Sequence, residues 1–279
     1  MANLNLYYQN TRGLRTKTHT FKRNLQLNQH DVISLTETWL IDGINDSELF
    51  DERYLVWRRD RNYQCTQEKY GGGVLLAVRR DLMAIQRPEW SSSAEDIWIT
   101  VTYKHDRKQT NIHFCTLYLC NENNGNSYNT QLHNFTDKLT LIINSYFNLA
   151  NIDWISDGEN LQPSGVAGET QINFIDALTE CNLTQFNSYR NVNNRLLDLV
   201  LRIRRTARSN ADRGKRQIFV RHIAISVSCD DPLVPEDLHH KSLIATLNLC
   251  GPEYLKMKSQ SAGTTVSPCI FEDCRGIHY

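Results

Sequence analysis

No run of apolar residues in this chain approaches the roughly 18 to 20 that a membrane-spanning helix requires. The first residues, Met1-Ala2-Asn3-Leu4-Asn5-Leu6, lack the charged start and long apolar core of a secretion signal. The expectation is a soluble, intracellular protein with no membrane partner. Net charge is also missing: 31 Lys and Arg face 31 Asp and Glu, for a formal charge of zero. Bulk electrostatics therefore gives no argument for a polyanionic partner, and any such argument must rest on where the charges sit. The eight cysteines include no paired C-x-x-C. Cys115 with Cys120, and Cys269 with Cys274, have four residues between them, wide for half of a zinc site and with no paired C-x-x-C elsewhere, and are expected to be packing thiols. No internal repeat or low-complexity linker divides residues 1–250, which predicts one domain there. Residues 251–279 have little periodicity and are assigned to a tail.

What is present is enough apolar residue, 40% of 279, to build a full core. Short strands dominate the N-terminal half. Leu4 to Tyr8 alternates, Val32 to Leu35 is a brief buried run, and Tyr54 to Trp57 is a third candidate. Gly71-Gly72-Gly73 opens a strong apolar strand, Val74 to Val78. Ile97 to Tyr103 and Ile112 to Tyr118 predict a hairpin pair across the polar turn Lys104 to Asn111. The asparagine-rich segment Asn121 to Asn129 predicts a loop. Leu132, Phe135, Leu139 and Ile143 then recur at helical spacing and predict a helix from about Tyr128. A short helix is expected at Asp176 to Cys181 and a strand at Leu196 to Ile203. Ile218 to Val227 is expected to pair with Leu243 to Leu249. The class is mixed α and β.

Several strand ends carry a polar residue that strand propensity does not ask for. Asn10 follows the first strand, Glu37 follows the second, and Tyr118 ends a later one. Asn148 sits in Tyr146-Phe147-Asn148-Leu149, Asp198 lies inside Leu196-Leu197-Asp198-Leu199-Val200, and Asp237 precedes His239-His240. Oxygen ligands of this kind suit Mg²⁺, and a histidine can serve a phosphate. Each alone reads as an ordinary turn or solvated loop. Asp198 is the exception, because its apolar neighbours argue for burial and a buried carboxylate wants a partner.

Taken in order, these blocks resemble the endonuclease/exonuclease/phosphatase superfamily, and most closely the endonuclease domain of non-LTR retrotransposons. The blocks are Tyr7-Tyr8-Gln9-Asn10-Thr11-Arg12-Gly13-Leu14, Leu35-Thr36-Glu37-Thr38-Trp39-Leu40, Gly71-Gly72-Gly73-Val74, Phe147-Asn148-Leu149 with Ile152-Asp153-Trp154, Leu197-Asp198-Leu199-Val200, and Pro235-Glu236-Asp237-Leu238-His239-His240. The resemblance implies an α/β fold of two packed, mainly antiparallel β-sheets flanked by helices, a DNase I-like four-layer sandwich. It also implies Mg²⁺ (or Mn²⁺) dependent nicking of DNA, with no obligate protein partner and a nuclear location if chromosomal DNA is the target. Glu37 would hold the metal with Asn10 beside it, and Asp237 would be a further acidic ligand. Tyr118 would stabilise charge on phosphorus, Asn148 would hold the water or phosphate, and Asp198 would orient the catalytic histidine.

The sequence departs from the family pattern in three places. Gly-Asp-Phe-Asn becomes Ser145-Tyr146-Phe147-Asn148, so a phenol stands where a water-activating carboxylate is expected. The span before Tyr146 is short: either Leu139 to Ile143 leaves the helix to form the central strand, or that strand is missing. Ser-Asp-His-x-Pro becomes Glu236-Asp237-Leu238-His239-His240-Lys241, and counting back from the lost proline favours His239 while leaving His240 open. A basic run that includes Arg202, Arg204, Arg205 and Arg208 has acid only at Asp212, and its place between Asp198 and Asp237 predicts a nucleic-acid contact on the site's rim. The alternative to an impaired endonuclease is a non-catalytic nucleic-acid-binding relic of the same domain.

Overall fold

The computed structural model describes residues 2–63, 70–105, 108–118, 141–146, 152–157, 160–166, 168–203, 219–227 and 232–250. In chain order the strands are β1 (Ala2–Asn10), β2 (Val32–Thr36), β3 (Tyr54–Arg59), β4 (Val74–Arg79), β5 (Met83–Gln86), β6 (Glu95–His105) and β7 (Lys108–Tyr118). They continue as β8 (Leu141–Tyr146), β9 (Ile152–Asp157), β10 (Asn160–Val166), β11 (Leu183–Gln185), β12 (Asp198–Ile203), β13 (Phe219–Val227) and β14 (Leu243–Cys250). Helices α1 (Thr18–Leu27), α2 (Asp46–Leu49) and α3 (Glu169–Glu180) connect them. One sheet has the order β13-β14-β1-β2-β4-β3 and the other β5-β6-β7-β8-β12-β11-β10-β9. All pairings are antiparallel except β1 with β2 and β7 with β8.

The period-2 geometry of strands sorts the side chains into layers. Leu4, Leu6 and Tyr8 of β1 point between the sheets, where they meet Ile97, Ile99, Phe114 and Val200 of the other sheet. Tyr7 points the opposite way, into a cluster with Ile33, Leu35, Leu75 and the helix residues Phe21 and Leu25. The far face of the second sheet has a matching cluster, in which Trp98, Leu117 and Leu201 pack with Phe174 and Leu178 of α3. The result is the expected helix–sheet–sheet–helix stack. Strand β4 does not alternate because Val74 through Val78 are all fully buried, as suits a mid-sheet strand covered on both faces. Between the sheets, the hydroxyls of Ser34 and Thr116 pair at 2.7 Å, so two buried polar groups satisfy each other.

The central strand is present. Strand β8 lies between β7, with Cys115 opposite Ile143, and β12, with Leu201 opposite Ile143. Ile143 therefore belongs to a strand, not to the predicted helix; the rest of that helix, like the Asn121–Asn129 loop, lies outside the described residues. The physical reason is that Leu141-Ile142-Ile143 is a short apolar run whose β-branched residues favour extended backbone, whatever their spacing to Leu139. The predicted helix at Asp176 to Cys181 is the end of the longer α3. The hairpin of β6 and β7 forms as expected, with His105 opposite Lys108. Cys115 and Cys181 are buried, and burial pushes the Cys181 thiol up to about 11, consistent with an inert packing group. Among the described residues no helix is long and apolar enough to cross a membrane.

Candidate active site

Register places the chemistry at one rim. Parallel β1 and β2 end there at Asn10 and Thr36, and antiparallel β4 begins there at Val74 opposite Thr36. In the other sheet, Tyr118 at the end of β7 is opposite Tyr146 at the end of β8, and Tyr146 is opposite Asp198 at the start of β12. Position 146 thus lies in a cross-strand row between Tyr118 and Asp198. Strand β14 starts at the same rim, with Leu243 opposite Tyr8.

The centre of the rim is a buried hydrogen-bonded set. Asp198 Oδ2 lies 2.9 Å from His240 Nδ1, and Asp198 Oδ1 accepts the Tyr8 hydroxyl at 2.7 Å. The Tyr8 oxygen is also 3.1 Å from Thr36 Oγ1 on the neighbouring strand, beside Glu37, while its bond to Asp198 ties the two sheets together. His240 is favoured over His239: it is His240 that reaches Asp198, because its own N–H and that of His239 both donate to Asp237 Oδ1 at 2.7 Å and fold the chain into a tight turn. Burial alone would lower the His240 pKa, but the bond to Asp198 and the charges of Asp198, Asp237 and Glu37 raise it above the ordinary histidine value.

The outer part of the rim is wetter. Asp237 Oδ2 accepts from Arg12 Nη1 at 2.9 Å. Partial burial would raise its pKa, but the Arg12 bond, the two backbone N–H donors and the His240 charge hold it below the usual carboxylate value. Glu37 Oε2 accepts from the Trp39 indole at 3.2 Å. Asn10 is 3% exposed; its Oδ1 accepts the Arg12 N–H at 3.2 Å, while its buried Nδ2 has no partner among the described residues. That bond fixes which way the amide points. Asn10 thus presents a donor to the site, which suits a phosphate oxygen or water better than direct contact with a cation.

Backbone strain concentrates at this rim. Arg12, Glu37 and Trp39 have φ of 42°, 51° and 53°, a region costly for residues with these side chains. The other non-glycine residues of this kind, Asn182 and Asn194, are asparagines, which tolerate it. The loops are held in place by each other: Gly13 N donates to Glu37 O at 2.8 Å and Leu14 N to Thr38 O at 2.8 Å. Gly72 and Gly73 are required here, since a Cβ would fall 2.2 Å from Arg61 Nε and 2.6 Å from Thr38 Oγ1. Arg61, absent from the sequence-based set, is buried with its guanidinium 5.2 Å from the Tyr118 ring centroid and its Nε 2.6 Å from Glu95 Oε1. Glu95 Oε2 accepts the Gly73 N–H at 2.6 Å, so this pair positions both the glycine loop and Tyr118. Tyr8 was also missed as a site residue. A tyrosine in an alternating strand reads as core, and nothing in the sequence marked it otherwise.

The remaining predicted residues are less close. Asn148, Arg204, Arg205 and Arg208 lie outside the described residues. Arg202 is on β12, four residues from Asp198 and so about 13 Å along the strand. Strand β12 runs from the site rim to the opposite one, and β13 begins at that opposite rim, with Phe219 facing Cys250. Arg202 therefore stands toward the end of β12 away from Asp198, and the other three arginines expected on the site's rim lie outside the described residues. Asp153 is exposed on β9, four strands from β8 and hence about 19 Å away. No group of three or more His, Cys, Asp or Glu that could hold a metal is found among the described residues.

No protein-family model and no curated protein matches the chain. Solved structures do. The endonuclease domain of TRAS1, a telomere-specific non-LTR retrotransposon, aligns with a TM-score of 0.57 at 12% identity over 88% of this chain and 99% of that one. The catalytic domain of Xenopus laevis APE2 gives 0.54 at 13% over 89% and 93%. The 3′ phosphatase NExo from Neisseria, bound to a product DNA hairpin, gives 0.52 at 12% over 88% and 99%. With the two sheets, their order and the helical layers already in place, this likeness shows that the chain has the endonuclease/exonuclease/phosphatase fold.

Proposed function

We propose that the chain is a divalent-metal-dependent DNA endonuclease domain of retrotransposon origin whose activity is reduced by the tyrosine at position 146. The observation that carries this reading is the buried Asp198–His240 pair next to Glu37 on one rim of the sandwich. Such a pair has a use in phosphodiester hydrolysis and is a costly arrangement for stability alone. DNA as the substrate is supported by the fold's neighbours, among them NExo with its DNA hairpin. Action on chromosomal DNA would place the protein in the nucleus.

Glu37 and Asp237 are the carboxylates that would hold Mg²⁺ or Mn²⁺. Glu37 fits: its Oε1 has no hydrogen-bond partner among the described residues, and Mg²⁺ commonly takes one or two carboxylates plus substrate oxygens and water; Asp237 would join by exchanging its Arg12 contact at Oδ2 for the ion. When bound, the ion supplies positive charge against the phosphate and polarises its oxygens. The protein's own groups do the rest. Asp198 holds the His240 ring through Nδ1, so that Nε2 exchanges the proton with the phosphate or leaving group. Asn10 Nδ2 donates to a phosphate oxygen, and the Tyr118 phenol adds a further donor; Asn148, expected to hold the water or phosphate, lies outside the described residues. A phenol at position 146, with an ordinary pKa near ~10, is a poor base at neutral pH.

The test is relaxation of supercoiled plasmid. Wild type is expected to nick slowly with Mg²⁺ and not at all as Glu37→Gln, while Tyr146→Asp is expected to raise the rate by about 10²- to 10⁴-fold. If neither wild type nor Tyr146→Asp nicks, yet both bind DNA through Arg204, Arg205 and Arg208, the domain is a non-catalytic binding module and this proposal fails. The departure at position 146 is the observation that favours that second reading.

A further inference from the structure

We propose that Trp39 and Tyr70 form a stacking site for the base of an unpaired nucleotide beside the scissile phosphate. This rests on the proposed phosphodiesterase reading and deepens it by naming the form of nucleic acid the site takes. Trp39 is held from several directions: its backbone N–H donates to Gly72 O at 3.1 Å, its indole donates to Glu37 Oε2, and its ring covers Gly13, where a Cβ would lie 2.6 Å from Cε3. These contacts keep it in a strained backbone conformation two residues from the site's carboxylate. The Tyr70 ring packs on it at 5.5 Å between centroids, tilted by 45°, and is itself 62% exposed.

Folding does not account for this pair. A tyrosine that leaves most of its surface in water contributes little to the core, and single exposed aromatics are common, but this one extends an indole that is fixed to the catalytic rim. Two arginines lie nearby. Arg12 lies on the adjoining loop, and the Arg15 guanidinium sits 6.0 Å from the Tyr63 ring centroid, with the Tyr63 hydroxyl bonded to Gly71 O at 3.0 Å. Aromatic faces next to arginines are the recurring means of holding a single strand, with rings taking the bases and cations the phosphates. A base inside a duplex has both faces covered by its neighbours, so an exposed ring stacks at least cost on one that lies outside the helix. The occupant is therefore an unpaired nucleotide.

The experiment is fluorescence anisotropy with the full chain, using a labelled single-stranded oligonucleotide and the blunt duplex of the same sequence, in EDTA so that no turnover occurs. Tyr70→Ala is expected to weaken single-strand binding by about 5- to 100-fold, Tyr70→Phe to change it less than about 2-fold, and the duplex to bind all three proteins alike. Circular dichroism melting should be unchanged in both variants. Equal binding by Tyr70→Ala and wild type, or equal losses on single strand and duplex, would overturn the proposal. A loss in Tyr70→Phe as large as in Tyr70→Ala would also overturn it, by pointing to the hydroxyl. If wild type nicks plasmid but Tyr70→Ala behaves as wild type, only the stacking site is lost. If wild type neither binds nor nicks, the endonuclease reading falls with it.

Discussion

Two acid–base pairs stand on the same rim in opposite surroundings. Asp198 and His240 have side chains 8% and 5% exposed, whereas Asp237 and Arg12 are 30% and 50% exposed. The first pair is buried and its carboxylate also accepts the Tyr8 hydroxyl, so its contact is not readily exchanged for water. The second can be replaced by solvent at little cost and is screened by salt. The difference divides the labour of the site. The dry pair fixes one geometry and one proton, while the wet pair leaves Asp237 accessible at the edge where a cation and phosphate would arrive.

If that division is right, the largest effect comes from the dry side. Asp198→Ala leaves the Tyr8 hydroxyl and His240 Nδ1 facing a gap, and is expected to lower unfolding free energy by about 3–5 kcal/mol, read as a shift in the urea midpoint at constant slope. A smaller effect there is pH dependence. The folded His240 pKa is raised, so the pair's stabilisation is full below the ordinary histidine value of about 6.5 and is lost as pH rises through the folded value. Urea midpoints should fall with pH over that window in wild type. The trend should flatten in Asp198→Asn, which keeps the shape but removes the charge. Tyr8→Phe comes next: it removes one hydrogen bond to a charged group, an expected loss of about 1.5–3 kcal/mol.

The architecture was legible where pattern and burial agree. Alternation in β1, the continuous run of β4 and the β6–β7 pair are visible in the sequence because each strand's faces are covered in the way its pattern requires. Helix α1 was not, because Phe21 and Leu25 are its only buried residues and the rest is polar. Strand β8 was hidden by an apolar spacing that fits a helix as well as a strand. The site was legible as residue types in order, and less so as geometry. Counting from a missing proline favoured His239, but the turn closed by Asp237 brings His240 to Asp198 instead. Chain order put the basic run beside the site, and of its four named arginines Arg202 alone lies among the described residues, on β12. The left-handed Arg12, Glu37 and Trp39 carried no signal, since their residue types argue against that conformation.

The wet side gives the smallest effects and the finest test of the comparison. Arg12→Ala removes an exposed ion pair, so its urea midpoint is expected to correspond to a change within about 1 kcal/mol that shrinks further in high salt. Asp237 does two things that substitution can separate. Its Oδ1 closes the turn that delivers His240, and its Oδ2 meets Arg12. Asp237→Asn retains a side-chain oxygen for the two N–H groups and gives up the ion pair, so it should match Arg12→Ala in stability. Asp237→Ala gives up the turn as well, and the loss of such a capping acceptor costs about 1 kcal/mol more. The same turn sets the distance to Asp198, so the pH trend of the midpoint should survive in Asp237→Asn and weaken in Asp237→Ala. Equal pH trends in the two variants would mean that His240 finds Asp198 without the turn, and that the dry pair does not depend on the wet one.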